Sequence, residues 1–175
     1  MRASITADTG ATLRDAGAAD AGAIAAIYNH YVATTVISME SDPVGIDEMA
    51  RRIAEVQGAA LPWLVLVEDG AVLGYAYASK WRARPGYRHA VESSVYVDAS
   101  LRGRGIGITL YRALIARLAG RYHCVIGGIA LPNPASVALH ERLGFRQVGC
   151  FTEVGHKFGD WVDVGYWQLQ LPPPA

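Results

Sequence analysis

Arg102-Gly103-Arg104-Gly105-Ile106-Gly107 places three glycines at every second position, with an arginine before each of the first two. Glycines so spaced let a backbone approach a ligand closely and turn its N–H groups inward. A helix is predicted directly after the run, so its orphan N–H groups and positive dipole end add to the arginine charge. These parts make a cradle for a phosphate or pyrophosphate. Two familiar versions of that cradle are excluded. No Lys-Ser or Lys-Thr follows, as a P-loop requires. The dinucleotide fingerprint G-x-G-x-x-G is broken at Ile108, and no acidic residue stands about 20 residues on to take a ribose hydroxyl. A turn that only joins a strand to a helix has the same composition, so spacing alone leaves the ligand open. Metal chemistry finds little support: the five histidines include no pair four residues apart, and there is no C-x-x-C.

The rest of the chain must position this turn. Its 175 residues suit one domain. A hydrophobic fraction of 51% and a charged fraction of 18% exclude disorder as the overall state. Sixteen Lys+Arg balance sixteen Asp+Glu, so no basic excess points to nucleic acid or to a membrane surface. The first ten residues do not read as a secretory signal, and apolar runs such as 61–67 are too short to span a bilayer. Cys124 and Cys150 cannot form a disulfide framework. A cytoplasmic protein with reduced thiols is expected.

Periodicity gives the elements. A short strand at 13–15 precedes a helix over 18–34, capped by Asp15 or Asp20. A second helix over 46–57 presents Ile46, Met49, Ile53 and Val56 on one face and stops at Gly58. Strands at 63–68 and 72–79 flank Asp69-Gly70, a hairpin signal. A basic, aromatic loop over 80–88 leads to a strand at 90–98. There Val91, Ser93, Val95 and Val97 alternate with Glu92, Ser94 and Tyr96. A helix over 108–119 follows the glycine run, with Leu110, Leu114 and Leu118 as its apolar stripe. Then come a strand at 123–130, a helix over 133–143 ending at Gly144, and two strands at 146–154 and 163–171 around a Gly-rich, aromatic turn. The order β-α-α-β-β-β-α-β-α-β-β, with one strand–helix–strand crossover, predicts an α/β fold with a mixed sheet and helices on its faces. Residues 13–171 read as a single domain, with 1–12 and 172–175 as tails.

Val95-Tyr96-Val97 followed by Arg102-Gly103-Arg104-Gly105-Ile106-Gly107 resembles motif A of the GCN5-related N-acetyltransferase (GNAT) superfamily. The run from Asn133 through His140 to Gly144-Phe145 resembles its motif B. The stretch from Trp81 through Arg84, Tyr87 and Glu92 to Val97 looks like the phosphinothricin N-acetyltransferase subfamily, as does Gly155-His156-Lys157-Phe158-Gly159-Asp160-Trp161. Tyr28-Asn29-His30-Tyr31 and Pro62-Trp63-Leu64 fit the same pattern, so the likeness spans nearly the whole chain.

That resemblance implies a central mixed sheet whose parallel strands splay, and acetyl-CoA as co-substrate. Gly103 to Ile108, with Arg102 and Arg104, would hold its pyrophosphate. The backbone of Val95, Tyr96 and Val97 would pair with the pantetheine arm, and Asn133 would stand beside it. Glu92 falls where the subfamily's general base is proposed; read alone, it is as well explained as a partner of Arg88. His140 stands where many members carry a Tyr that protonates the leaving thiolate; read alone, it is a packed helix histidine. Arg84 and Tyr87 lie in a loop that faces the substrate, where an arginine fork suits a carboxylate or phosphinate. Tyr28, Asn29 and His30 fall in a region that caps the acceptor. Trp161 and Tyr166 either line that pocket or simply pack.

The expectation is an acetyl-CoA-dependent N-acetyltransferase acting on a small amino acid analogue of the phosphinothricin or methionine sulfoximine type. Transfer would be direct within a ternary complex, since no activated cysteine is present. A homodimer is expected, and neither a nucleic acid nor a membrane partner. A peptide or protein N-acetyltransferase and a non-catalytic acyl-CoA-binding module are the alternatives.

Overall fold

The computed structural model describes residues 5–6 and 10–172. The described chain forms two compact units. One is built from residues up to Asn29 with Val44–Ala78 and Val95–Arg117; the other comprises His30–Pro43, Ser79–Ser94 and everything from Leu118 onward.

In the first unit, strands β1 (Ile5–Thr6), β2 (Thr12–Asp15), β3 (Trp63–Glu68) and β4 (Ala71–Lys80) follow one another in the sheet. The three pairings are antiparallel. β1 lies within the stretch expected as an N-terminal tail. Asp69 and Gly70 turn β3 into β4 with φ of 49° and 81°, the left-handed geometry that the Asp-Gly pair favours. Helices α1 (Ala21–Thr34) and α2 (Ile46–Gly58) bring Ile24, Ile27, Met49 and Ile53 into the core. Ile46, expected on the same buried face, is 60% exposed. It is the first residue of α2, directly after Gly45, and stands at the open end of the buried stripe that Met49 and Ile53 continue.

Asp20 directly precedes α1, and its carboxylate is part of a capping box on the entry turn. Its carboxylate lies inside the entry turn, where it accepts from the Gly17 N–H at 2.8 Å and takes the Arg14 fork at 2.7 and 2.8 Å. The Arg14 guanidinium holds the Asp20 carboxyl below its usual range. Asp15 pairs instead with Arg117 at 3.2 Å.

The end of β5 (Ala90–Val97) lies in this unit, close against β4. Asp98 N–H donates to the Leu73 carbonyl at 2.9 Å. Gly74 makes the approach possible: a Cβ there would sit 2.7 Å from the Tyr96 carbonyl oxygen and 3.1 Å from Val97 Cα. The obstacle is backbone, which cannot rotate away. Gly74→Ala should therefore destabilise the fold by about 1–3 kcal/mol, the usual cost of overpacking. A thermal melt matching the wild type would show that β5 tolerates displacement.

In the second unit the strand order is β5, β6 (Cys124–Ala130), β8 (Asp160–Gln170) and β7 (Arg146–Lys157). β5 runs parallel to β6, while β6–β8 and β8–β7 are antiparallel. The expected mixed sheet is thus present. The parallel ladder pairs only residues 90–92 of β5 with 124–126 of β6. Buried and half-buried residues alternate from Ala90 to Ser93; from Ser94 to Val97 all are half-buried. The alternation fades beyond that ladder, where the splay was expected.

The β7–β8 hairpin is longer than periodicity suggested. Its turn is Phe158-Gly159 alone, with φ of 54° and 90°. A register break between Phe151 and Gly155 hides the strand from a period-of-two reading. Inside it Glu153 has φ 52°, and its N–H donates to an Asp163 carboxylate oxygen at 2.7 Å.

Lys157 is 5% exposed and donates to the carbonyls of Val32 and Ser38 at 2.7 and 2.6 Å. Burial holds its ammonium below the usual lysine range. One side chain thereby ties the end of β7 to the last turn of α1 and to the segment that follows it.

Candidate active site

The glycine run ends β5's excursion and opens helix α3 (Ile106–Leu118) two residues earlier than expected. Asp98 caps a short 3-10 turn over Ala99–Leu101, accepting from the Ser100 N–H at 2.9 Å. Gly103 and Gly105 follow with φ of 83° and 79°. Only glycine adopts that region freely. The Gly105 carbonyl accepts from the Thr109 N–H at 3.1 Å, the first helical bond of α3. The N–H groups of Ile106, Gly107 and Ile108 therefore open the helix without intrahelical acceptors. Ile106, Leu110, Leu114 and Leu118 anchor α3 in the core. Arg102 and Arg104 are exposed. Arg104 is tied to Glu68 at 3.1 Å, so part of its charge is already matched. A pyrophosphate fits this geometry: open space surrounds both glycines, with no atom within 4 Å of a Cβ built there.

Val95, Tyr96 and Val97 lead into this turn along β5. Tyr96 stacks on Tyr75, with ring centroids 5.4 Å apart, and receives the edge of Tyr28 at 5.1 Å. Tyr28 is thus a packing residue within the first unit. Asn29 staples α1 to the start of α2: its amide donates to the Val44 carbonyl at 2.9 Å and accepts from the Val44 N–H at 2.7 Å.

In the second unit Glu92 sits half-buried on β5. It stands over Gly128 of β6, where a Cβ would come within 3.4 Å of its carboxylate and 3.5 Å of the Tyr166 ring. Tyr166 receives ring edges from Trp81 at 5.8 Å and Phe151 at 5.6 Å. Burial raises the Glu92 carboxyl above its usual range, and the positive charge of Arg82 works against that rise. Arg82 itself lies over the Trp81 ring at 4.7 Å. Arg88, the expected partner of Glu92, turns back to the Pro85 carbonyl at 3.3 Å. Arg84 precedes and Tyr87 ends a short 3-10 turn (Pro85–Tyr87), both exposed.

A carboxylate so placed, near the Tyr166 ring and with its ionised form disfavoured by burial, is chemically able to take up a proton. Gly128, Phe151 and Arg82 were not singled out from the sequence. A glycine that makes room for a carboxylate carries no local signal of doing so.

His140 is 4% exposed on α4 (Pro134–Arg142). Its Nδ1 lies 2.8 Å from the Ser136 carbonyl and its ring packs edge-on against Phe145 at 5.1 Å. Nδ1 must donate to that oxygen, which leaves Nε2 as the acceptor nitrogen of the neutral ring. Burial lowers its pKa, favouring the neutral form. Asn133 is the N-cap of α4, accepting from the Ser136 N–H at 3.2 Å. Trp161 is 64% exposed beside His156. Tyr166 alone of that pair lies by Glu92. Among the described residues, no group of three or more His, Cys, Asp or Glu side chains is placed to hold a metal ion.

Residues 13–165 match the family described as the acetyltransferase (GNAT) domain. The chain belongs to the GNAT acetyltransferase family. It is 39% identical to the phosphinothricin N-acetyltransferase of Streptomyces viridochromogenes, over 93% of this chain and 89% of that protein. It is 42% identical to the L-methionine sulfoximine/L-methionine sulfone acetyltransferase of Pseudomonas aeruginosa, over 93% and 96%. The phosphinothricin acetyltransferase of Sinorhizobium meliloti, solved in complex with AcCoA, superposes with a TM-score of 0.89 at 40% identity, covering 93% and 89%. This GNAT enzyme is therefore an N-acetyltransferase of the phosphinothricin acetyltransferase-like group, with acetyl-CoA as co-substrate.

Proposed function

We propose that residues 13–171 act as one domain that acetylates the amine of a small amino acid analogue of the phosphinothricin or methionine sulfoximine type. The named activities of the Streptomyces and Pseudomonas relatives support that acceptor class. Acetyl-CoA supplies the activated acetyl group. The α3 N-terminus, Gly103 to Ile108 and the two arginines bind its pyrophosphate, the backbone of Val95, Tyr96 and Val97 lies along the pantetheine arm, and Asn133, the N-cap of α4, is the remaining cofactor-binding candidate.

Glu92 accepts a proton from the acceptor ammonium, directly or through water. The half-buried carboxylate over Gly128, raised by burial, is the observation that carries this role. An aliphatic ammonium titrates near 10, so removing its proton is the first requirement of attack. His140 is the second proton-transfer candidate. Its Nδ1–H is engaged with Ser136, so donation to the thiolate would require the imidazolium, which burial disfavours. That ranks it below Glu92. An acceptor screen reading thiol release tests the assignment: turnover of methionine sulfoximine or phosphinothricin supports it, and preference for peptide N-termini overturns it.

Arg84 supplies the fork for the acceptor's anionic group, with Tyr87 beside it. Arg84→Ala should raise KM for a carboxylate-bearing acceptor by roughly tenfold or more, the worth of a charge-assisted hydrogen bond. The KM for an uncharged amine should change little, because the lost contact is ground-state binding. Equal effects on both acceptors would remove Arg84 from the site.

The enzyme works as a homodimer. Val148, Phe151, Val154, Phe158 and Trp161 of the β7–β8 hairpin are each more than half exposed, an apolar surface of the kind that marks interfaces. Light scattering at micromolar concentration should return twice the mass of the chain; the mass of one chain would contradict it. A cytoplasmic setting accords with the two free cysteines. No helix among the described residues is long and apolar enough to cross a membrane.

A further inference from the structure

The aromatic side chains of the first unit form a row across the sheet. Tyr96 of β5 stacks on Tyr75 of β4, with ring centroids 5.4 Å apart and planes 24° from parallel. Tyr75 and Tyr77 lie 17° from parallel, and Trp63 of β3 ends the row 4.2 Å from Tyr77. The edge of Tyr28 meets Tyr96 from α1 at 5.1 Å. A cavity of about 170 Å³ adjoins this row, lined by Tyr28, Tyr75 and Tyr77 and by Met49 and Val56 of α2. Tyr28 and Tyr75 both touch Tyr96 and both line the cavity, so the aromatic surface is continuous from the strand that leads into the glycine turn.

Water gains little in such a place. Six of the eight lining residues are aromatic or aliphatic. The other two are engaged along α2, Arg52 with Glu48 at 2.8 Å and Glu55 with Arg51. Opposite charges are matched there, so neither a cation nor an anion is selected. Rings and aliphatic groups offer water few partners, and a methylene that takes its place leaves solvent with a gain.

We propose that this cavity is an acyl-chain pocket, and that the enzyme transfers straight-chain acyl groups longer than acetyl, their tails laid along Tyr96, Tyr75 and Tyr77. The inference rests on the reading that the backbone of Val95, Tyr96 and Val97 lies along the pantetheine arm. On that reading the thioester stands at β5, and carbons beyond the acetyl methyl pass Tyr96 toward the apolar volume that adjoins it. The reaction is unchanged in kind. The amine nitrogen bonds to the thioester carbonyl carbon, the C–S bond breaks with its electron pair passing to sulfur, and the proton lost by nitrogen ends on the CoA thiol.

Calorimetry with acetyl-, butyryl- and hexanoyl-CoA tests the pocket without an acceptor. Affinity should rise along the series, by up to about fourfold for each methylene the cavity buries. Val56→Phe narrows the cavity from a half-buried position on α2. It should return hexanoyl-CoA to the affinity of acetyl-CoA and leave acetyl-CoA binding unchanged. Val56→Ala widens the cavity and should keep the gain, and melting temperatures show whether each variant folds. With methionine sulfoximine as acceptor, Val56→Phe should lose hexanoyl transfer and keep acetyl transfer. Three results would overturn the inference while acetyl-CoA still binds: affinity that is flat or falls toward hexanoyl-CoA, a gain that survives Val56→Phe or is lost in Val56→Ala, or hexanoyl-CoA that binds and is not turned over. Binding of none of the three thioesters would overturn the acetyl-CoA reading and this inference with it.

Discussion

Glu92→Gln should lower kcat by roughly 10²–10⁴-fold, the span usual for loss of a general base. The substitution keeps the shape over Gly128 and removes the basic oxygen. Acetyl-CoA binding should barely change, since its contacts lie in the glycine turn and further along β5. The pH dependence carries the sharper signature. A base must be ionised to work, and burial raises the Glu92 carboxyl above its usual range. Activity of the wild type should therefore fall on acidification at a higher pH than an unperturbed glutamate would give. The variant should lack that limb, and its deficit should shrink as pH rises, because more acceptor amine is then already neutral. A variant with near-normal kcat at neutral pH would shift the role to His140 or to a water.

Gly105→Val should abolish the thermal stabilisation that acetyl-CoA confers. For the wild type, a ligand at 100 times its Kd adds about 2.7 kcal/mol by mass action. The cause of the loss differs from simple obstruction. No atom lies within 4 Å of a Cβ at this position, but φ is +79°, a conformation that costs a β-branched residue on the order of 1–3 kcal/mol. Gly105 also provides the first carbonyl of α3. A valine would pull it toward negative φ and turn away the N–H groups of Ile106, Gly107 and Ile108. The apo melting temperature, measured alongside, separates lost binding from lost stability. A full acetyl-CoA shift in this variant would remove the turn from the binding site.

Much of this architecture was legible in the residues. The strand at 63–68, the Asp69-Gly70 turn and the α4 boundaries follow from periodicity and from glycine and asparagine at the helix ends, because those signals are local. The start of α3 was misplaced because Ile106-Gly107 reads as loop, yet Ile106 is the first buried anchor of the helix. The C-terminal hairpin was shortened because its register break interrupts alternation. The site follows the same division. The glycine turn announces itself by composition. Glu92 and Tyr166 were named, but Gly128 and Phe151 were not: these residues come from four strands, and only pairing across β5, β6, β8 and β7 brings them together. Choosing Arg82 over Arg88 as the charge that Glu92 feels depended on loop geometry that no spacing encodes.

The buried ammonium at the end of β7 has one more consequence. The chain contains only two lysines, Lys80 and Lys157. Lys157 is enclosed with both of its carbonyl partners, while Lys80 is exposed. An enzyme that handles an activated thioester risks acylating its own surface amines, and here arginine fills nearly every basic position. Among the side chains of the folded protein, amine chemistry is confined to Lys80. That residue is a single attachment point for a surface, a dye or a tether.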